Sequence, residues 1–276
     1  MNFTLGFSPC PNDTFIFDGL VNKKIDTGNF TFDVRLEDVE TLNEMAKKEV
    51  LDFTKISYGV LPLVAKNYKV LNAGSALGKG VGPLLISQKA INFDDVEKYT
   101  IAIPGGNTTA HLLFSLAFPN AKNKVFKRYD EIENAVLNSK NVLGVIIHEN
   151  RFTYMNKGLH KIVDLGNYWE EKISLPIPLG GIVGKRTIDE KILKQVDELI
   201  KKSIEYSYDN YPFISDYIKQ HSQEMEEDVM KKHIDLYVNN YSLDLGEDGK
   251  NAIRKFIEIY NQNHQKEKTS MENIFL

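Results

Sequence analysis

Two stretches dense in glycine and proline constrain this chain more than any other feature. Gly74–Gly82 holds four glycines and leads into Pro83 and the apolar run Leu84–Ser87, while Pro176–Gly184 holds two prolines and three glycines. Breakers packed this closely interrupt regular structure, so the chain reads as three blocks. In the first block, Phe3–Ser8 predicts a strand that enters the turn Pro9-Cys10-Pro11-Asn12. The two prolines forbid a continuing strand or helix there, and Asn12 or Asp13 can cap a helix from Thr14 to about Lys23. Phe32–Glu37 predicts a second strand. Val39, Leu42, Met45, Ala46 and Val50 recur at helical spacing, Phe53–Ser57 reads as a third strand, and Tyr58 to Ala65 as a short helix. This alternation implies a parallel sheet with right-handed crossovers.

The middle block restarts the pattern. It predicts strands at Tyr99–Ile103, Lys124–Arg128, Val142–Ile147 and Leu159–Leu165, with helices at Thr108 to about Phe118 and Asp130–Asn138. The last block is helical, with amphipathic segments at Ile188–Asp209 and about Glu247–Asn263. The two breaks therefore read as crossings between lobes. A first lobe is expected from residues 1–88 and 180–276, with a second lobe, 89–179, inserted into it. Leu84–Ser87 is expected as the last strand of the first lobe, and the polar tail after His264 as loosely ordered. A chain of 276 residues has room for two domains of roughly 100–150 residues.

Composition narrows the partners. A net charge of -4 disfavours nucleic acid or an anionic membrane, and no stretch approaches the roughly 20 apolar residues of a membrane span. Cys10 is the single cysteine, so no internal disulfide forms and a reducing compartment is expected. Met1 to Ser8 lacks the basic and apolar regions of a secretory signal, and nine residues ahead of Cys10 leave no room for a lipoprotein export segment. The expected location is the cytoplasm.

Open α/β sheets bind ligands beyond the carboxyl ends of their strands. Four segments fall there: Ser8–Thr14, Lys55-Ile56-Ser57, Gly105–Thr109 and His148-Glu149. If the two lobes face each other, these segments line one cleft. Each has a plain reading beside a functional one. The Pro9–Asn12 turn can be a rigid cap. Gly105-Gly106-Asn107-Thr108-Thr109 can be an ordinary helix start, or a close-approach anion site built from backbone N–H groups and hydroxyls. It lacks the lysine and spacing of a P-loop. Lys55 can be a solvated lysine or, with Ser57 beside it, a ligand contact. His148 can be a hydrogen-bonded structural histidine or a general base at the end of a firmly held strand. His111 lies one turn into a helix near the expected cleft, whereas His160, His221, His233 and His264 sit in polar, surface-like settings. No residues have metal-ligand spacing, since His148-Glu149 lacks partners for a zinc site, and no G-x-S-x-G elbow is present.

The run Ser8-Pro9-Cys10-Pro11-Asn12-Asp13-Thr14-Phe15-Ile16-Phe17 resembles the N-terminal signature of the 1,4-dihydroxy-6-naphthoate synthases of menaquinone biosynthesis by the futalosine pathway. Leu36-Glu37-Asp38-Val39-Glu40-Thr41-Leu42-Asn43, Lys55-Ile56-Ser57-Tyr58 and Gly144-Val145-Ile146-Ile147-His148-Glu149 resemble the same family in the same order. The resemblance spans essentially the whole chain. It implies an α/β, two-lobed type II periplasmic-binding-protein-like fold with the ligand cleft between the lobes. The implied activity is a carbon–carbon lyase that cleaves cyclic dehypoxanthinylfutalosine, a small anionic substrate, to 1,4-dihydroxy-6-naphthoate and dihydroxyacetone without a cofactor. It implies His148 as the base and substrate contacts at Lys55, Ile56, Ser57, Thr109 and Ala110. Thr108 joins them as part of the turn, and Asn12, from its own turn, as a group that orients a substrate hydroxyl. Two alternatives stand beside this reading: a chorismate dehydratase of the same pathway and fold, and a non-catalytic solute-binding protein for a small carboxylate.

Overall fold

In the computed structural model, which describes residues 1–222, 226–263 and 273–276, the chain divides into two compact units. One comprises Met1–Gly78 and Pro178–Leu276, and the other comprises Lys79–Ile177. The strands are β1 (Asn2–Phe7), β2 (Thr31–Leu36), β3 (Phe53–Ser57), β4 (Tyr68–Val70), β5 (Ala76–Gly78), β6 (Leu84–Ser87), β7 (Thr100–Ile103), β8 (Lys124–Phe126), β9 (Val142–Ile146), β10 (His160–Asp164) and β11 (Ile177–Lys185).

The first unit is built on a sheet of order β2-β1-β3-β11-β4 among the described residues, with β5 also paired to β11. β1 runs parallel to β2 and β3, as the strand–helix–strand alternation implies. β11 is antiparallel to β3 and β4, so the sheet is mixed rather than wholly parallel. This corrects the expectation that Pro176–Gly184 is only a crossing, since most of it is an interior strand. Its glycines serve close approach instead of a turn. A Cβ on Gly180 would lie 2.6 Å from the Ile56 carbonyl oxygen, and one on Gly181 would lie 2.2 Å from the Tyr58 hydroxyl. Leu5, Phe7 and Phe53 pack against Phe15 and Phe17 of the helix Pro11–Val21 and against Ile200 and Ile204 of the helix Glu190–Asn210. At the far edge, Val70 exchanges backbone bonds with Ile274 and Leu276 at 2.8 and 2.9 Å. Of the polar tail after His264, residues 264–272 lie outside the described residues, while Ile274 is buried.

The second unit has a sheet of order β10-β6-β9-β7-β8 among its described residues. β6 lies here, antiparallel to β9 and β10. Leu84–Ser87 is thus not the last strand of the first sheet, and the division falls at Gly78 and Lys79 instead of after residue 88. The reason is that Leu84 and Ile86 belong to the second unit's core, with Ala102, Ile132, Val136 and Ile146. β7 is parallel to both β8 and β9. No helix among the described residues is long and apolar enough to cross a membrane.

Candidate active site

In the first unit the parallel pairing of β1 with β3 sets their carboxyl ends side by side, Gly6 opposite Thr54. The Ser8–Thr14 segment and Lys55–Ser57 therefore share one edge of the sheet. The prolines do not delay the helix as expected. Cys10 is its N-cap and Pro11 its first residue, where the missing N–H removes no helical bond. Asp13 consequently lies in the first turn, and it organises the site. Its Oδ2 accepts from the Ser8 N–H at 3.2 Å and the Ser8 hydroxyl at 2.8 Å. Its Oδ1 accepts from Asn12 Nδ2 at 2.8 Å and pairs with Lys55 Nζ at 3.0 Å. The Lys55 ammonium also donates to the Gly74 carbonyl at 3.0 Å. Lys55 is 5% exposed, so it is not a solvated lysine.

Asn12 is buried as well, and because its amide donates to Asp13 the Oδ1 acceptor is the end that faces away from that bond. Ser57 Oγ donates to the Leu179 carbonyl at 3.3 Å. Ile56 alternates to the other face of β3 and is fully buried, and its backbone lies opposite Gly181 in the β3–β11 ladder. The structure thus joins Asn12 and Lys55 through Asp13 and leaves the Ile56 side chain out. Asp13 was missed as a functional group by sequence reasoning. Its signal was an acid three residues after the N-cap of a helix that begins beyond a strand.

In the second unit β7 is parallel to β9, with Ala102 opposite Gly144, so the segments after both strands lie at one sheet edge. After β7 the chain turns at Gly105, with φ +115°, and Thr108 caps the helix Thr109–Ala117. The Thr108 hydroxyl donates to the Gly105 carbonyl at 2.9 Å and accepts from the His111 N–H at 3.2 Å. Thr108, Thr109 and Ala110 are buried. The His111 ring spans the Gly106 carbonyl, 2.8 Å from Nδ1, and Lys124 Nζ, 3.3 Å from Nε2. Those partners assign the proton to Nδ1 and make the ring part of the turn's framework. Burial, and secondly the charge of Lys122, lower the pKa of the Lys124 ammonium.

After β9 comes His148, half-buried, with φ +58°. The buried Tyr129 ring stands 5.0 Å from the imidazole, edge to face at 66°. Elsewhere, His233 is fully buried against Tyr237, 4.7 Å between ring centroids, which corrects its surface-like reading.

The fold is shared with solved proteins of low sequence similarity. The alkanesulfonate-binding protein of Xanthomonas axonopodis pv. citri, at 11% identity, superposes with a TM-score of 0.75 over 100% of this chain and 98% of its own. These neighbours define the class as a periplasmic-binding-protein-like α/β fold. A crystallised protein of Archaeoglobus fulgidus is more similar, with 29% identity and a TM-score of 0.90 over 96% of this chain and 98% of its own. The family model described as menaquinone biosynthesis matches residues 3–262, and the chain belongs to that family. Its curated relatives are enzymes named 1,4-dihydroxy-6-naphthoate synthase. The one from Thermus thermophilus is 41% identical over 91% of both chains, and the one from Streptomyces coelicolor 40% over 91% of this chain and 89% of its own.

Proposed function

We propose that this protein is the lyase that converts cyclic dehypoxanthinylfutalosine to 1,4-dihydroxy-6-naphthoate and dihydroxyacetone, with His148 as general base. The observation that carries the reading is the histidine's position. It follows β9 on a left-handed turn, at the same sheet edge as the Thr109–Ala117 helix start. The names of the curated relatives favour this substrate over chorismate.

Removal of a proton from the bicyclic substrate lets a retro-aldol-type C–C cleavage proceed, and formation of an aromatic naphthalene diol drives it. His148 takes that proton, a step worth roughly 10²–10⁴-fold. The backbone N–H groups of Thr109 and Ala110, with Thr108 as their cap, hold the substrate carboxylate, because a helix start concentrates unpaired donors and positive dipole. Lys55 and Ser57 stabilise oxygens that gain charge, Ile56 between them holds their strand against β11, and Asn12 accepts from a substrate hydroxyl. Lys55 suits this role because Asp13 and Gly74 fix its ammonium rather than leaving it to solvent. The substrate is a small anion, and the single cysteine fits work in the reducing cytoplasm.

The test incubates purified protein with cyclic dehypoxanthinylfutalosine and follows the naphthoate's absorbance. We expect turnover that falls about 10²–10⁴-fold in His148→Ala and His148→Asn. Near-normal turnover in either folded variant would sink the assignment of the base. Product from chorismate but not from the bicyclic substrate would establish the dehydratase instead. Binding of a small carboxylate without turnover of either would leave a solute-binding protein.

A further inference from the structure

A histidine at φ +58° occupies a left-handed backbone region that few residues other than glycine adopt, and its surroundings hold it there. Three contacts come from one short segment, Tyr129–Leu137. Ahead of the histidine, Ile132 and Val136 pack so closely on β9 that a Cβ on Gly144 would lie 2.6 and 2.7 Å from their methyl groups. Behind it, the buried Glu133 accepts from Asn150 Nδ2 at 2.6 Å and pairs with Lys157. At the side chain itself, the Tyr129 ring lies 5.0 Å from the imidazole. The backbone bonds Arg151 N–H to His148 O and Phe152 N–H to Glu149 O close the turn at 3.3 and 2.9 Å.

We infer that Tyr129 is a positioning residue: its ring is the wall that holds the His148 imidazole in the orientation from which it takes the proton. The inference rests on His148 being the base. Glu133 and the Gly144 packing fix the histidine's backbone, but an imidazole still has two side-chain torsions of its own. A buried aromatic ring in edge-to-face contact removes part of that freedom, because such pairs have a preferred geometry. Tyr129 acts through the histidine and needs no contact with substrate.

The experiment compares Tyr129→Phe, Tyr129→Met and Tyr129→Leu, each alone and combined with His148→Asn. Thermal unfolding checks folding, kcat and KM report turnover, and the ring C–H resonances of His148 are read by NMR. The methionine variant keeps volume without a flat ring and serves where the leucine variant does not fold. We expect the non-aromatic variants to lower kcat by about tenfold or more, since a misplacement near 1 Å suffices for such losses, with KM within about twofold. Tyr129→Phe should return kcat to within about twofold of the parent, because the ring is what the contact uses. In the His148→Asn background the Tyr129 changes should add no further loss. The His148 resonances should move in the non-aromatic variants and stay in Tyr129→Phe.

Unchanged kcat in a folded non-aromatic variant, an equal loss with and without His148, or unmoved ring resonances would each overturn the inference. His148→Asn with parental turnover would instead overturn the base reading. The ring resonances would then still decide whether Tyr129 orients the histidine.

Discussion

Lys55 is held between the Asp13 carboxylate and the Gly74 carbonyl, and both charged side chains of the pair are nearly inaccessible to water. Taking two charges out of water is unfavourable, and their attraction offsets this only while both are present. Removing the lysine strands the carboxylate with the Ser8 and Asn12 donors alone. Lys55→Met is therefore expected to lower unfolding free energy by about 3–5 kcal/mol, read from the urea midpoint with an unchanged slope. The surface pair Lys98–Asp95 is the control, because water and salt screen it. Lys98→Met should leave the midpoint where it is. Equal effects from the two substitutions would show that the buried pair does not tie the helix start to β3.

At the scale of elements, the helix Glu190–Asn210 supports the site from behind. Asp197 on this helix accepts from the Ala73 N–H at 2.8 Å and from Asn72 Nδ2 at 3.2 Å, next to the Gly74 carbonyl that Lys55 uses. Burial, first of all, holds the Asp197 carboxyl above the usual carboxylate range, and the charge of Glu198 adds to the shift against the hydrogen bonds from Ala73 and Asn72. The folded chain then keeps this proton to a higher pH than the unfolded chain does. Within that window the native state binds more protons, so stability falls as pH rises and recovers as pH falls. Asp197→Asn should lack this component. Urea unfolding measured from the ordinary carboxylate range upward should show the parent gaining on the variant as pH is lowered. Parallel pH curves would contradict the shift.

The same scale shows why some elements were legible in the sequence and others were not. β3 and the helix Val39–Lys47 were readable because their apolar spacing is local. β11 was not, because its glycines answer to Ile56 and Tyr58, whose proximity comes only with the folded sheet. β4 and β5 have three residues each, too few to show a period. His148 and Lys55 stood out as polar residues at strand ends. Tyr129 carried no such mark, since nothing local links it to a histidine that pairing of β7 with β9 brings near. His233 had a usable signal: Met230, Ile234 and Tyr237 are buried on its own helix and frame an inward face.

For the whole molecule, the second unit is one continuous stretch, Lys79–Ile177, with its own core, and the first unit is interrupted by it. The interruption enters after β5 and leaves at β11, and these two strands pair. A short glycine–serine linker can therefore replace residues 79–177. We expect the shortened first unit, and residues 79–177 expressed alone, each to unfold cooperatively and to protect amides in its own sheet from hydrogen exchange. Exchange without protection in the isolated stretch would show that the unit does not fold by itself.

The position of β11 also sets an order of events on the ribosome. The chain emerges from its N-terminus, so β1, β2 and β3 are made long before β11, which must lie between β3 and β4 to complete the first sheet. The continuous second unit has all its strands available first and can close while the first waits. Until residue 177 and its successors are synthesised, β3 presents an unpaired strand edge, the kind of surface that captures other chains. A nascent chain halted with β10 outside the ribosome and β11 still inside it would be finished in its middle and open at its beginning.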